Sequence, residues 1–189
     1  MKVPVVVVIT GIPCTGKTTL GRRIAAEFSF PLVTKDGIKE VLFDSLGWKD
    51  RHRSRKFSRT SFELILHVMD LLLQAGLSHI VEGNFTAEEY ADKLFVLQRH
   101  HPFKPFQIQC VADDHVIRQR LEERAMLGLR HPGHLDRILL TELDPRNSGE
   151  RKTSLDIGGV FMKVDTTDPA ATDSRAVVSA IRTFMDVFG

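Results

Sequence analysis

The sequence has little of what marks several protein classes. Its 189 residues hold only two cysteines, Cys14 and Cys110, too few for a disulfide framework. That scarcity fits a reducing, cytoplasmic setting. No stretch approaches the roughly twenty apolar residues of a membrane span. The first apolar run, Val3 to Ile9, is broken by Pro4 and followed two residues on by Gly11, so it is also too short for a signal h-region. The expectation is a soluble, unprocessed chain with no membrane partner. Neither sign of charge dominates, with 26 Lys and Arg against 24 Asp and Glu and a net charge of +2. This balance weighs against a chain given over to nucleic-acid electrostatics, although it leaves room for a local basic patch. The histidines and cysteines lack zinc-ligand spacing. Internal repeats, low-complexity tracts and linkers are missing too.

What is present suits one domain over residues 1–189. Hydrophobic residues make up 42% of the chain, enough for a substantial core at this length. Val5 to Ile9 is a continuous β-branched run, the pattern of a strand buried on both faces of a parallel sheet. Further strands are expected at Leu32–Thr34, His79–Val81, Phe106–Val111 and Val160–Val164. Helical spacing is read at Leu20–Phe28, Asp36–Leu46, Phe62–Leu73, Ala87–Arg99, Asp113–Met126, Leu135–Leu143 and Thr172–Phe188. Gly47 to Arg59 and Asp144 to Ser154 read as polar connections. Strands alternating with helices predict a three-layer α/β/α fold around a parallel sheet.

Gly11-Ile12-Pro13-Cys14-Thr15-Gly16-Lys17-Thr18 matches the G-x-x-x-x-G-K-[ST] phosphate loop without departure. The glycines permit the turn and let backbone N–H groups face an anion. The helix that follows, beginning near Thr19, points its positive dipole end at the phosphates. Lys17 is expected to reach the β- and γ-phosphates of a nucleoside triphosphate, and Thr18 to ligate Mg²⁺. The strand before the motif and the helix after it supply its required context.

A P-loop does not by itself separate a kinase from a switch or a motor. Asp36 sits at the C-terminal edge of the second strand, where ligands bind in open α/β sheets. It suits a group that orients an acceptor hydroxyl and takes its proton, or equally an N-cap. Glu82 ends the third strand, in the position of a Walker-B acid near Mg²⁺, and Asn84 is placed to contact the acceptor. Arg118, Arg120, Arg124 and Arg130 cluster on one helix and its following loop. Arg120 and Arg124 share a face and suit a clamp on transferring phosphate. Arg130 to His134 then reads as a lid tip. Thr167, in Val164–Pro169, lies where an adenine base would rest or where the last helix would be capped. Lys49 to Arg59 is the strongest local charge run, read either as an anion-binding segment or as a solvated connection.

With those residues in view, the chain resembles the small P-loop kinases related to polynucleotide 5′-kinase, chloramphenicol phosphotransferase and zeta toxin. The resemblance rests on GIPCTGKTT, TKDGIKEVLF, IVEGNF, RQRLEER with RHPGH, and VDTTDP. It implies an adenylate-kinase-like five-stranded parallel sheet with a helical lid, around 118–134. It further implies ATP with Mg²⁺, Asp36 as the acceptor base, and Arg120 and Arg124 on the phosphates. The polynucleotide kinases often place an Arg three residues past that Asp. Lys39 stands there in this chain, keeping the charge without the bidentate fork.

Three functions remain open on this reading. The first is an ATP-dependent kinase of a small hydroxyl compound such as an antibiotic, nucleoside or sugar derivative. The second is a polynucleotide or RNA 5′-hydroxyl kinase. The third is a nucleotide-binding switch or regulatory ATPase without an acceptor. A monomer or a homodimer fits each.

Overall fold

A computed structural model describes residues 3–142, 154–168, 172 and 174–188. Five strands form one sheet: β1 (Val5–Thr10), β2 (Leu32–Thr34), β3 (His79–Glu82), β4 (Lys104–Val111) and β5 (Val160–Asp165). Their order is β2-β3-β1-β4-β5, and every pairing is parallel. The expected all-parallel, five-stranded α/β sheet is therefore present. The β1 strand lies at its centre, and Val5 to Ile9 are all 0–1% exposed.

Side-chain alternation along β1 builds two cores, one on each face. Val6 and Val8 pack with Val81 against Phe62, Ile65, Met69 and Leu94, from helices α3 (Arg51–Gln74) and α4 (Ala87–His100). Val5, Val7 and Ile9 pack with Ile108 against Leu20, Ile24, Ile181 and Phe184, from helices α1 (Lys17–Phe28) and α7 (Ser174–Phe188). Each fully buried aliphatic side chain contributes about 1.5–3 kcal/mol, so the continuous valine run fixes the middle of the sheet. Parallel strands then bring their C-terminal ends to one edge. There Thr10, Thr34, Glu82 and Val111 precede the loops that build the site.

Helix α2 (Lys35–Leu46) follows β2 directly. The Thr34 hydroxyl accepts from the Gly37 N–H at 3.1 Å and is the N-cap, a geometry expected of Ser, Thr, Asp or Asn at that position. Asp36 lies in the first turn, so its alternative role as cap falls to Thr34.

The largest departure from expectation concerns residues 51–61. They form the first turns of α3 rather than a polar connection. The Asp50 carboxylate accepts from the Arg53 N–H at 2.8 Å and caps the helix. Buried Ser54, Phe57, Ser61 and Ile65 give one continuous inner face. The apolar stripe is interrupted by two serines, which is why apolar periodicity alone starts the helix too late.

Helices α5 (Asp114–Leu127) and α6 (Asp136–Glu142) flank a 3₁₀ turn at Pro132–His134. Helix α1 begins at Lys17, three residues before the expected Leu20, and other boundaries lie within two residues of those expected; Leu143 and residues 144–153 lie outside the described residues.

Candidate active site

The phosphate loop runs from β1 into α1. Gly11 has φ 147° and Gly16 φ 70°, both open to glycine. A Cβ on Gly11 would stand 2.4 Å from the Cys110 carbonyl oxygen and 2.8 Å from Thr15 Oγ1. The loop is thus folded too tightly to carry a side chain there. Cys14 also adopts positive φ, at 66°. The Thr15 hydroxyl donates to the Ile12 carbonyl at 2.8 Å, and Lys17 Nζ donates to the same carbonyl at 2.8 Å. The Lys17 ammonium therefore spans the mouth of the loop.

Thr18 and Glu82 meet although 64 residues separate them. The Thr18 hydroxyl donates to Glu82 Oε2 at 2.8 Å, and Glu82 is 3% exposed. Glu82 is therefore a buried partner of the phosphate loop, and a solvent-facing strand end is excluded. A hydroxyl and a carboxylate at the loop are hard oxygen donors that fit Mg²⁺, which takes few protein ligands and keeps phosphate and water oxygens.

A cavity of about 600 Å³ opens above the sheet edge. Pro13, Cys14 and Gly16 to Thr19 line it from the phosphate loop, with Glu82 beside Thr18, and Asp36, Lys39 and Asn84 line it as well. Arg120 and Arg124 reach it from α5. Gly11, Ile12 and Thr15 are not among the lining residues. Thr167 is not among the lining residues; Thr166 and Thr172 form that wall. The Thr167 hydroxyl accepts from the Asp113 N–H at 2.9 Å.

The arginines divide their work. Arg118 pairs with Glu122 one turn away on the surface. Arg120 donates to the carbonyls of Cys14, Thr166 and Thr167 at 3.2, 2.6 and 3.0 Å. It ties the phosphate loop to the segment after β5. Arg124 pairs with Asp136, Nε to Oδ2 at 2.7 Å. Arg130 donates to Asp36 Oδ2 and lies 3.4 Å from Asp136 Oδ1.

The segment 130–134 is fastened over α2. His131 stacks on Phe43 with centroids 5.1 Å apart, and His134 meets the same ring edge-on at 5.3 Å. His134 Nε2 lies 2.9 Å from Glu40 Oε1. A Cβ on Gly133 would lie 2.8 Å from the Phe43 ring, so only glycine permits this approach. Burial, reinforced by Arg130, pushes the His134 imidazole down to about 2, leaving it neutral.

Electrostatics distinguish the two sides of the cavity. Burial raises the Asp36 carboxyl, but Arg130 and then Lys35 outweigh it and bring it down to about 2. Lys35 Nζ donates to Asn84 Oδ1 at 3.0 Å and lies 3.8 Å from Asp36. Burial, with Lys35 acting in the same direction, lowers Lys39 to about 7. Lys35, Arg51, Arg55 and Ser58 also line the cavity. Sequence reasoning gave Lys35 and Ser58 no role, and assigned Arg51 and Arg55 only to a charge run. Their signal was helical: Arg51, Ser54, Arg55 and Ser58 recur at three- and four-residue spacing behind a capping Asp50.

The fold and this loop define a nucleotide-binding protein of the P-loop class. A family profile described as AAA domain matches residues 6–138, and the chain belongs to that family. It is 35% identical to a protein from Chloroflexus aurantiacus J-10-fl described as a candidate kinase, with all of both chains covered and a TM-score of 0.87. Two more distant structures share the fold at 18% identity. One is a gluconokinase from Sinorhizobium meliloti 1021, TM-score 0.55, with 98% of this chain and 96% of that one covered. The other is a sugar kinase from Janibacter sp. HTCC2649, TM-score 0.58, with coverages of 97% and 95%. No curated protein matches the chain.

Proposed function

We propose that the protein is an ATP-dependent kinase that transfers the γ-phosphoryl group to a hydroxyl of a small acceptor. One observation carries the reading: the phosphate loop and Asp36 line a single cavity. A switch or regulatory ATPase has no need of a carboxylate opposite the γ-phosphate. A chain 35% identical to this one is described as a candidate kinase, and the fold relatives include a gluconokinase and a sugar kinase. The sequence likeness to polynucleotide 5′-kinase, chloramphenicol phosphotransferase and zeta toxin agrees with hydroxyl phosphorylation.

In this reading the loop N–H groups and Lys17 hold the β- and γ-phosphates. Thr18 and Glu82 would hold Mg²⁺, which when bound neutralises charge developing on the transferred group. Asp36 orients the acceptor hydroxyl in line with the γ-phosphorus and accepts its proton as the new O–P bond forms and the bond from the γ-phosphorus to the β–γ bridging oxygen breaks, releasing ADP. A loose transition state asks little of the base until late, which suits a carboxyl of low basicity. Arg130 must leave Asp36 when the acceptor arrives, and its departure raises the basicity of Asp36. Residues 118–134 then act as a lid, with Arg124 and Arg130 available to the phosphates. Lys39 and Asn84 bind the acceptor.

Transfer of label from γ-labelled ATP to a panel of nucleosides, oligonucleotides, aminoglycosides, phenicols and sugar derivatives tests the proposal. A labelled organic phosphate is expected. Release of inorganic phosphate alone, at a rate unaffected by any acceptor, would favour the switch reading instead.

A further inference from the structure

Among the described residues, the wall of the cavity around Asp36 carries more positive charge than the carboxylates at ion-pair distance from it. Lys35, Lys39, Arg51, Arg55 and Arg130 all line it. Among the described residues, their carboxylate partners within 4 Å are Asp36, Asp136 and Glu142. Asp136 is also committed to Arg124. Lys39 is the extreme case. It is 4% exposed, donates to Ser54 Oγ at 2.9 Å, and lies 5.2 Å from the Phe43 ring centroid. Among the described residues no carboxylate lies within ion-pair distance of it. A buried ammonium without a counter-ion is costly, and this one borders an open cavity rather than a packed core.

Arg51 and Arg55 lie one turn apart on α3 and converge on a single carboxylate. Arg51 Nε reaches Glu142 Oε2 at 2.9 Å, and Arg55 Nη2 reaches Oε1 at 3.1 Å. Each Glu142 oxygen thus receives a guanidinium, the arrangement by which arginines take up a carboxylate or phosphate. Glu142 is the last residue of α6, which has seven residues and none buried. Its hold on the arginines is that of a surface ion pair, which is weak. A ligand that also engages Lys39 has a partner Glu142 does not provide.

We propose that the acceptor is itself an anion: a small hydroxylated compound whose carboxylate or phosphate is bound by Lys39, Arg51 and Arg55, displacing Glu142. This deepens the kinase reading and rests on it for the word acceptor, but the anion site stands on its own geometry. The same helix supplies Ser54 and Ser58, and Lys35, which holds Asn84 at 3.0 Å and lies 3.8 Å from Asp36, lines the same cavity. A hydroxyl on the bound acid is thereby aimed at Asp36 while its charged end is anchored on α2 and α3.

Matched acceptors separate the sources of charge. Protein saturated with a non-hydrolysable ATP analogue and Mg²⁺, so that the phosphate loop is filled, is titrated by calorimetry. The probes are gluconate, glucose 6-phosphate and glucose, then glycerate, glycerol 3-phosphate and glycerol. At least one acid in a set should bind at least tenfold more tightly than its neutral parent. Arg51→Gln with Arg55→Gln should weaken that acid by about 10- to 100-fold without changing analogue affinity, and Arg51→Lys with Arg55→Lys should restore part of it. Glu142→Gln should tighten the acid about threefold, a gain that loss of a merely structural ion pair would not give. Neutral parents binding as well as acids, no binding by any probe, or an unaltered affinity in the double Gln variant overturns the proposal. Preference for a 5′-hydroxyl oligonucleotide over every small acid overturns it too. Labelled transfer is scored separately. Acids that bind at Arg51 and Arg55 but are never phosphorylated would leave the anion site standing and remove the kinase reading.

Discussion

Replacing Asp36 by asparagine separates catalysis from folding with little disturbance. The amide matches the carboxyl in size but cannot take a proton at neutral pH. Its neighbours keep other partners: Lys35 retains Asn84 at 3.0 Å, and Arg130 retains Asp136 at 3.4 Å. The folded pKa of Asp36 lies below its ordinary value of 3.8, at about 2. Its ionic contribution to stability is therefore present above pH 3.8 and lost as pH falls toward 2. At pH 7 the variant forfeits that contribution. With the side chain 38% exposed, screening holds the cost to about 1 kcal/mol, a fall in Tm of about 2–4 °C for a chain of this size. A positioned base contributes roughly 100- to 10,000-fold to rate, or about 3–5.5 kcal/mol of barrier at 1.36 kcal/mol per decade. Asp36→Asn should thus lower kcat by that factor while ATP affinity, measured by calorimetry, changes less than threefold. A kcat within threefold of wild type would refute the assignment of Asp36. A parallel collapse of ATP binding would refute the claim that its role lies on the acceptor side.

Gly11→Ala forces a methyl to within 2.4 Å of a backbone carbonyl at φ 147°. The loop must open, and ATP affinity should fall at least 100-fold in a calorimetric titration while the melting profile remains cooperative. Arg120→Ala removes three hydrogen bonds between α5, the phosphate loop and the segment after β5; ATP affinity should fall roughly tenfold, with acceptor KM changing far less. Lys39 gives a pH signature. Its folded pKa is lowered from 10.5 to about 7 by burial, with Lys35, Arg130 and Arg51 adding repulsion and Asp36 opposing it. Its penalty on stability is full below pH 7 and relaxes as pH rises toward 10.5. The ligand-free protein should therefore gain Tm from this group between pH 7 and 9, while KM for an acidic acceptor rises over the same interval. Lys39→Met should flatten both profiles.

How much of this was legible in the sequence depends on the range of the interaction involved. The strand-loop-helix around Gly11 to Thr18 is dictated by neighbours in sequence, so motif and periodicity place it directly. Asp36 and Glu82 are legible because parallel strands must all end at one sheet edge, whatever their separation along the chain. Arg51 and Arg55 were legible only as members of a charge run with two open readings, because the helix that carries them has an inner face beginning with Ser54 rather than an aliphatic residue. Lys35 lies beside Asp36 within TKDGIKEVLF, but no local rule gives it a role, because its partner Asn84 is 49 residues away. The lid arginines were assigned to phosphates by resemblance. In the structure Arg120 holds backbone carbonyls, Arg124 holds Asp136, and Arg130 holds Asp36. No local rule specifies those pairings, because they form only once α5 and α6 are folded against the sheet edge.

The central claim is transfer to a hydroxyl, and phosphorus NMR of a single reaction tests it most directly. Enzyme, ATP, Mg²⁺ and a hydroxylated acid should yield ADP and a new phosphomonoester resonance in equal amounts, and Asp36→Asn should abolish both together. ADP accumulating with inorganic phosphate and no ester, across every acceptor offered, would contradict the account.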